Sequence, residues 1–384
     1  MRVAHYCKNF SPLSETFIYD YVTELEHQGV DNHVFTRSRE NVEERPFEKV
    51  HVVDQPSRFH PRRIWRRALA AIGLGDATES ATPLVRRAIR RSIEDVQPDV
   101  IHAHFGPAAV LVAPIANRLR VPLVASFHGY DAFRLPTLPE WRQKYRRLFA
   151  AVSAVTVVSH LMEKKMIELG CPSELVHVVR VGKRASDYPM RAEPSWPIRR
   201  WITVGRFCEK KSPLECIEAF EGLLEHDAEQ QLTMIGDGPL FKDASKYVSD
   251  RGLGDRIRLT GPLPHDEVRS QMSAADAFIL CSKTDRWGDR EGVPTVLMEA
   301  QALGLPCVTT WHSGIPEVIP EENQWLLADE GHVEQIAARM HALHSADQSV
   351  LAGVTERGRR KVEGEFNLVR ECERLRRLYD SVVA

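Results

Sequence analysis

The sequence predicts an α/β protein made of two doubly wound units, each a mostly parallel sheet with helices on both faces. Three observations lead there. The chain opens β–loop–α–β: RVAHYC reads as a buried strand, residues 16–28 have helical apolar spacing that stops at Gly29, and VDNHVFTR reads as the next strand. Near the midpoint, DYPMRAEPSWPIRR carries Pro189, Pro194 and Pro197 without periodicity, the mark of a linker. The pattern then restarts with WITVGRF, a strand entering a loop. SPLECIEAFEGLL follows as a helix with Ser212 as its expected cap and Pro213 at its first position.

Length and composition agree. A chain of 384 residues is too long for one ordinary core and suits two. With 43% apolar and 27% charged residues it reads as globular, and a net charge of −2 speaks against a general nucleic-acid binder. The 7 cysteines, an odd number without Cys-x-x-Cys, fit reduced thiols and a cytoplasmic setting. The opening MRVAHYCKNF lacks the apolar segment of a signal peptide. No apolar run approaches the ~18 residues that span a bilayer, so any membrane contact is expected to be peripheral, at the inner face.

In chain order, the loop KNFSPLSETF follows the first strand, and doubly wound sheets bind ligands beyond the carboxyl ends of their strands. Ser14, Glu15 and Thr16 therefore face that crevice. Ser14 as helix cap with Glu15 in the first turn is an equal and compatible reading. From Arg58 to Arg67, RFHPRRIWRR holds five arginines and no acid, interleaved with Phe59, Ile64 and Trp65. Arg86, Arg87, Arg90 and Arg91 follow at helical spacing. Such runs are more often solvated faces, with contact to an anionic membrane as the competing reading. DVIHAHFG and VPLVASFHGYD are strands entering glycine loops. His102 and His104 alternate as strand residues do and lack the further ligands a metal needs. His128 ends its strand before Gly129, where the backbone can turn into the crevice; a buried, hydrogen-bonded histidine is the plain alternative. AVTVVS and LVHVVRVG complete this half. In the second, QLTMIGDGPL reads as strand, glycine turn and helix, RIRLTGPLP and AFILCS as strands, and FNLVRECERLRRLYDSVV as a terminal helix.

The chemistry concentrates in TDRWGDREGVPTVLMEAQALGLPCVTTWHSGIPE, residues 284–317. A helix starting near Pro294 and ending at Gly304 leaves the amides around Thr295 and Val296 unpaired, where its dipole favours an anion. Glu291 then lies in the loop at that anion and Glu299 about two turns along. After a strand, the turn at Gly314 leads into another Pro-started segment, and two helix starts at one crevice suit a diphosphate. GRFCEKKSP supplies counter-charges: Arg206 ends a strand and Lys211 precedes a helix, with Lys210 the adjacent alternative. At ~4 Å and an effective dielectric of about 20, each charge pair contributes roughly 4 kcal/mol before desolvation. GRFCEKK alone reads as a solvated surface; beside the two acids it becomes the other half of one ligand site. Gly236-Asp237-Gly238 is not a dinucleotide fingerprint, since Phe241 takes the third glycine position. No Asp-x-Asp occurs, so neither a metal nor another cofactor is expected.

EGVPTVLMEA followed by a strand and SGIPE resembles the donor-binding signature of family 4 retaining glycosyltransferases of the GT-B fold. The loop containing SETF, FHGYD and the terminal helix extend the likeness over nearly the whole chain, strongest at 201–317. SETF is similar to the entry of polysaccharide (colanic-acid type) members, without the Gly-Gly pair many relatives carry. The resemblance implies two Rossmann-like domains facing across a crevice: an acceptor domain at 1–185, a linker at 186–200, a donor domain at 201–365 and a terminal helix at 366–384 crossing back. It implies a nucleotide-diphosphate sugar donor, UDP-linked first and GDP-linked second, and a polysaccharide or lipid-linked oligosaccharide acceptor. Arg206 and Lys211 would bind the phosphates, Glu299 the ribose hydroxyls, Glu291 a donor-sugar hydroxyl, and His128 would lie beside that sugar; His128, Glu291, Arg206 and Lys211 form the catalytic set. Gly314 would let backbone approach the diphosphate and Leu263 would lie near the base. Gly205, Gly236, Thr295 and Val296 complete the donor side, with Ser14, Glu15, Thr16 and Asp131 on the acceptor side. Relatives end the last strand of the first half with Asn-Gly and an acid. Here VGKRASD stands instead, so nothing is assigned to Lys183 or Arg184. Two rivals remain: a nucleotide-sugar epimerase of the same fold, which needs no acceptor, and a non-catalytic nucleotide-sugar-binding protein, which turns nothing over.

Overall fold

The computed structural model describes residues 1–12, 15–53, 82–191 and 193–384. They divide into two compact units, one of Met1–Val157, Glu163–Val179 and Cys372–Ala384, the other of Val158–Met162 and Arg180–Glu371.

The first unit is a parallel sheet of β1 (Arg2–Phe10), β2 (Asp31–Arg39), β3 (Val50–Val52), β4 (Val100–His104), β5 (Leu123–Phe127), β6 (Ala154–Val157) and β7 (Val176–Val178). Their order is β3-β2-β1-β4-β5-β6-β7. VIHAH, LVASF and AVTV are buried at every position, as expected of central strands covered on both faces. The helix Thr16–His27 packs Phe17, Ile18, Tyr21, Val22 and Leu25 inward. Strand order reverses between β1 and β4, which puts the switch point at Phe10 and His104. The last helix, Leu368–Val383, ends in this unit, where Tyr379 is fully buried and its hydroxyl meets His102 Nδ1 at 2.5 Å.

The second unit repeats the scheme with β8 (Arg200–Val204), β9 (Gln231–Ile235), β10 (Ile257–Gly261), β11 (Ala277–Ile279), β12 (Cys307–Thr310) and β13 (Leu327–Ala328), in the order β10-β9-β8-β11-β12-β13. Its core gathers Trp201, Ile217, Phe220, Leu326 and Met340. Burying a side chain of that size contributes about 1.5–3 kcal/mol. The switch point falls between β8 and β11, and the residues leaving their carboxyl ends are those the sequence singled out.

All 7 cysteines are free, six of them buried. Among the described residues no helix is long and apolar enough to cross a membrane. The arginine run 58–67 and Ser14 lie outside the described residues. On the helix Thr82–Val96, Arg86 Nε donates to the Leu111 carbonyl and Arg90 pairs with Glu94, while Arg87 and Arg91 are exposed.

Two local expectations change. Ser212 precedes the helix Pro213–Leu224 but does not cap it: at φ 48° its hydroxyl donates back to the Glu209 carbonyl at 3.2 Å. His102 and His104 do have a third histidine, because β1 lies in register with β4 and sets His5 opposite His102. The three rings are committed to one another and to neighbours. His5 Nδ1 meets His104 Nε2 at 3.2 Å, His5 Nε2 meets Asn32 Oδ1 at 3.0 Å, and His102 Nε2 meets Ser126 Oγ at 2.6 Å. That is a polar core seam, with His104 Nδ1 left over.

Burial pushes His5 down to about 4 and His128 to about 3, and holds His102 and His104 well below the ordinary histidine value. The folded chain therefore binds fewer protons than the unfolded one below pH ~6.5, so stability is full above that pH and falls as the solution is acidified. Each such histidine withdraws about 1.4 kcal/mol per pH unit once the unfolded chain protonates it. Asp131, pushed up to about 6 by burial, acts oppositely, gaining stability as pH falls below 6. Four groups against one predict a urea midpoint that drops steeply from pH 7 to pH 5. A flat profile would contradict the neutral seam.

Candidate functional site

In the second unit the ends of β8, β9 and β10 are drawn together by glycines. Gly205 N–H donates to the Ile235 carbonyl at 3.0 Å, and Gly236 N–H to the Gly261 carbonyl at 2.9 Å. A β-carbon on Gly236, at φ +135°, would lie 2.0 Å from the Gly205 oxygen, and one on Gly238, at φ +158°, 2.5 Å from the Phe207 oxygen. Only glycine permits that approach. The loop after β10 carries Leu263, half-buried.

Arg206 leaves β8 exposed, with no ion pair among the described residues. Lys211 closes a short 3₁₀ turn, Glu209–Lys211, and its stem runs along Gly205. Its Nζ sits 2.9 Å from Glu291 Oε1, an ion pair outside hydrogen-bond alignment. Lys210 is turned inward, 7% exposed and paired with Asp289 at 2.9 Å. Between the two neighbours, Lys211 is thus the one beside Glu291. Glu291 is 8% exposed; burial pushes its carboxyl up, but Lys211 and then Lys210 outweigh it and hold the group at about 2.

Pro294 begins the helix Thr295–Ala302, which has no side-chain cap. The first-turn amides of Thr295 and Val296 have no carbonyl behind them within the helix, and both residues are half-exposed. Glu299 is buried and engaged: Lys183 Nζ lies 2.9 Å away, with side-chain exposures of 5% and 8%. Lys183, which belongs to no recognised motif, is therefore the first partner of Glu299. The one available signal was its setting between Val181 and Ala185, both buried, where a lysine needs a counter-ion.

Gly314 has a nearer reason to be glycine than ligand approach, since its β-carbon would meet the Gly292 oxygen at 2.3 Å. The segment it starts, Ile315–Val318, is a single turn, so the expected second helix start offers little dipole.

In the first unit His128 follows β5, with its ring 4.5 Å from Phe17 and 4.7 Å from Phe105 between centroids. Both ring nitrogens are buried without a hydrogen-bond partner among the described residues, and the imidazole is neutral. Such orphans are uncommon enough to need a cause. Phe105, at φ 74°, is held in a conformation bulky residues avoid, which no sequence signal announces. Glu15 immediately precedes the helix that Thr16 begins. Asp131 corrects the acceptor-side expectation. It is 0% exposed, Oδ2 accepts from Gly106 N–H at 2.9 Å, and Oδ1 accepts from His128 and Gly129 N–H at 2.9 and 3.0 Å. It fixes the His128 turn instead of offering a carboxylate to an acceptor.

Comparison with known proteins gives the family and the fold. Residues 199–360 match the family profile "Glycosyl transferases group 1" and residues 14–182 "Glycosyltransferase Family 4". Escherichia coli K12 WcaL, whose name assigns it to colanic acid biosynthesis as a glycosyltransferase, is 30% identical, covering 96% of each chain. The amylovoran biosynthesis glycosyltransferase AmsK of Erwinia amylovora is 36% identical over 70% of this chain and 67% of its own. Among solved structures, Anabaena HepE in complex with UDP and glucose superposes with a TM-score of 0.76 at 16% identity, covering 99% of this chain and 100% of that one. Sucrose-phosphate synthase from Thermosynechococcus elongatus does so at 0.75 and 16%, covering 100% and 99%. The fold is GT-B, and the chain belongs to family 4 of the glycosyltransferases.

Proposed function

We propose that this chain transfers a sugar from a nucleoside diphosphate, UDP first and GDP second, to a polysaccharide or lipid-linked oligosaccharide, with retention of configuration and without a metal ion. The observation that carries the reading is the Lys211–Glu291 pair at the end of β8, where Arg206 is exposed and has no ion pair among the described residues. The names of the relatives, which concern amylovoran and colanic acid, favour a polysaccharide acceptor, and the UDP and glucose bound by HepE favour a UDP-sugar.

In this mechanism the bond between the anomeric carbon and the phosphate oxygen loosens first. Negative charge gathers on the leaving diphosphate, where Lys211, Arg206 and the amides of Thr295 and Val296 stabilise it more than they stabilise the ground state. Lys211 exchanges the Glu291 carboxylate for phosphate, which frees Glu291 for a sugar hydroxyl. Glu299, steadied by Lys183, accepts from the ribose hydroxyls. The acceptor oxygen bonds to the anomeric carbon on the face the phosphate leaves, and its proton passes to a phosphate oxygen.

A thermal-shift panel of UDP-, GDP- and ADP-sugars tests the donor, and the anomeric configuration of the product tests retention. Stabilisation by none of the panel would refute the donor reading. Transfer is expected to persist in EDTA; complete loss, restored by manganese, would refute the metal-free step. Altered sugar nucleotide formed without acceptor would identify an epimerase.

A further inference from the structure

Glu291 is gripped by a layer of residues that the mechanism does not use. His312 is 1% exposed and both ring nitrogens are engaged: Nε2 lies 3.1 Å from the Glu291 amide nitrogen and Nδ1 lies 2.6 Å from Glu330 Oε2. A backbone N–H can only donate, so Nε2 must accept. The ring proton then sits on Nδ1 and is donated to Glu330. Glu330 in turn accepts from Thr284 N–H at 2.6 Å and from the Thr284 hydroxyl at 3.1 Å. Both ends of the 284–291 loop thus hang from one carboxylate–imidazole pair. On the other side Ser313 Oγ donates to the Glu291 carbonyl at 2.5 Å, and Gly314 leaves room only for the Gly292 oxygen.

We propose that His312, held in one tautomer by Glu330, is a positioning residue that aims the Glu291 carboxylate, and so sets how well the site distinguishes a sugar nucleotide from the bare nucleotide. The assignment rests on the donor reading of Glu291. Side-chain swivel alone cannot replace it, because the bond is to the Glu291 backbone and fixes where Cα stands. The ionisable groups facing His312 are Glu330 after β13 and Glu291 and Arg290 in the loop. Burial lowers the tendency of His312 to protonate, against the pull of Glu330 and Glu291. The cationic ring would present a second N–H to the Glu291 N–H. The arrangement is therefore intact at neutral pH and breaks when acid protonates the ring.

The test compares wild type, His312→Ala, His312→Gln and Glu291→Gln, using calorimetric titration with UDP and with UDP-glucose and hydrogen exchange of residues 284–293. Loss of the bond in His312→Ala is expected to weaken UDP-glucose about tenfold and UDP less than about twofold. Exchange in 284–293 should quicken while β9 stays protected. His312→Gln, whose amide oxygen can accept the same N–H, should recover part of both. Equal weakening of both ligands with a lowered unfolding midpoint would show a merely structural residue and overturn the proposal, as would unchanged exchange in His312→Ala. Glu291→Gln separates the two claims. If it keeps wild-type affinity for UDP-glucose, or if the wild type binds none of the UDP-, GDP- and ADP-sugars, the donor reading of Glu291 fails, and the exchange result still decides whether His312 holds the loop.

Discussion

Lys211→Ala is expected to cut kcat/KM for transfer about a thousandfold, the usual cost of removing one group aimed at a developing oxyanion. Lys211 also neutralises buried Glu291, so the single variant should lose stability: an acid held at about 2 chiefly by Lys211 is left with Lys210 as its main counter-charge. The double variant Lys211→Ala/Glu291→Gln removes both charges. Its unfolding midpoint should return toward wild type while transfer stays lost, because stability depends on the pair and rate depends on the cation. Steady-state kinetics and thermal unfolding of the three proteins decide the matter. Recovery of transfer in the double variant would mean that Lys211 acts only as the counter-ion of Glu291.

Gly236→Ala is expected to be the most damaging single methyl in the second unit. The new β-carbon would stand 2.0 Å from the Gly205 oxygen, on a backbone at φ +135° that alanine resists. Backbone cannot yield as a flexible side chain can, so β8 and β9 must part where Gly205, Arg206 and the Lys211 stem begin. The cost should be about 3 kcal/mol or more, with nucleotide affinity falling alongside. Gly254→Ala is the control: it is exposed and its β-carbon meets nothing within 4 Å, so stability and affinity should match wild type. Equal unfolding midpoints for the two variants would show that the close approach at Gly236 carries no strain.

The first sheet was legible because central parallel strands are covered on both faces: LVASF and AVTV are short runs buried at every position, and VIHAH is as buried although it carries the histidine seam. Arg206, Lys211 and Glu291 stood out because each lies next to a strand end or ahead of a helix start, positions that pattern and punctuation mark, and Glu299 because it sits on the helix that follows Pro294. Their partners did not. Lys183 meets Glu299 across more than a hundred residues, in a stretch that departs from the pattern of relatives. His312 and Glu330 are 18 residues apart and give no local motif. His5 reaches His104 from 99 residues away, a pairing set only by strand register. Ser212 obeyed the capping rule in type and broke it in geometry, because φ 48° turns its hydroxyl back toward Glu209. Asp131 was placed on the acceptor side by resemblance, whereas its oxygens are spent on three backbone amides.

The most direct measurement is a crystal structure with UDP, or with the nucleotide of whichever sugar stabilises the protein most. Diphosphate oxygens are expected within hydrogen-bond distance of Lys211 and Arg206, the ribose hydroxyls on Glu299, and Lys211 moved off Glu291. A nucleotide bound away from the ends of β8 and β9, with the Lys211–Glu291 and Lys183–Glu299 pairs both intact and untouched, would contradict that placement.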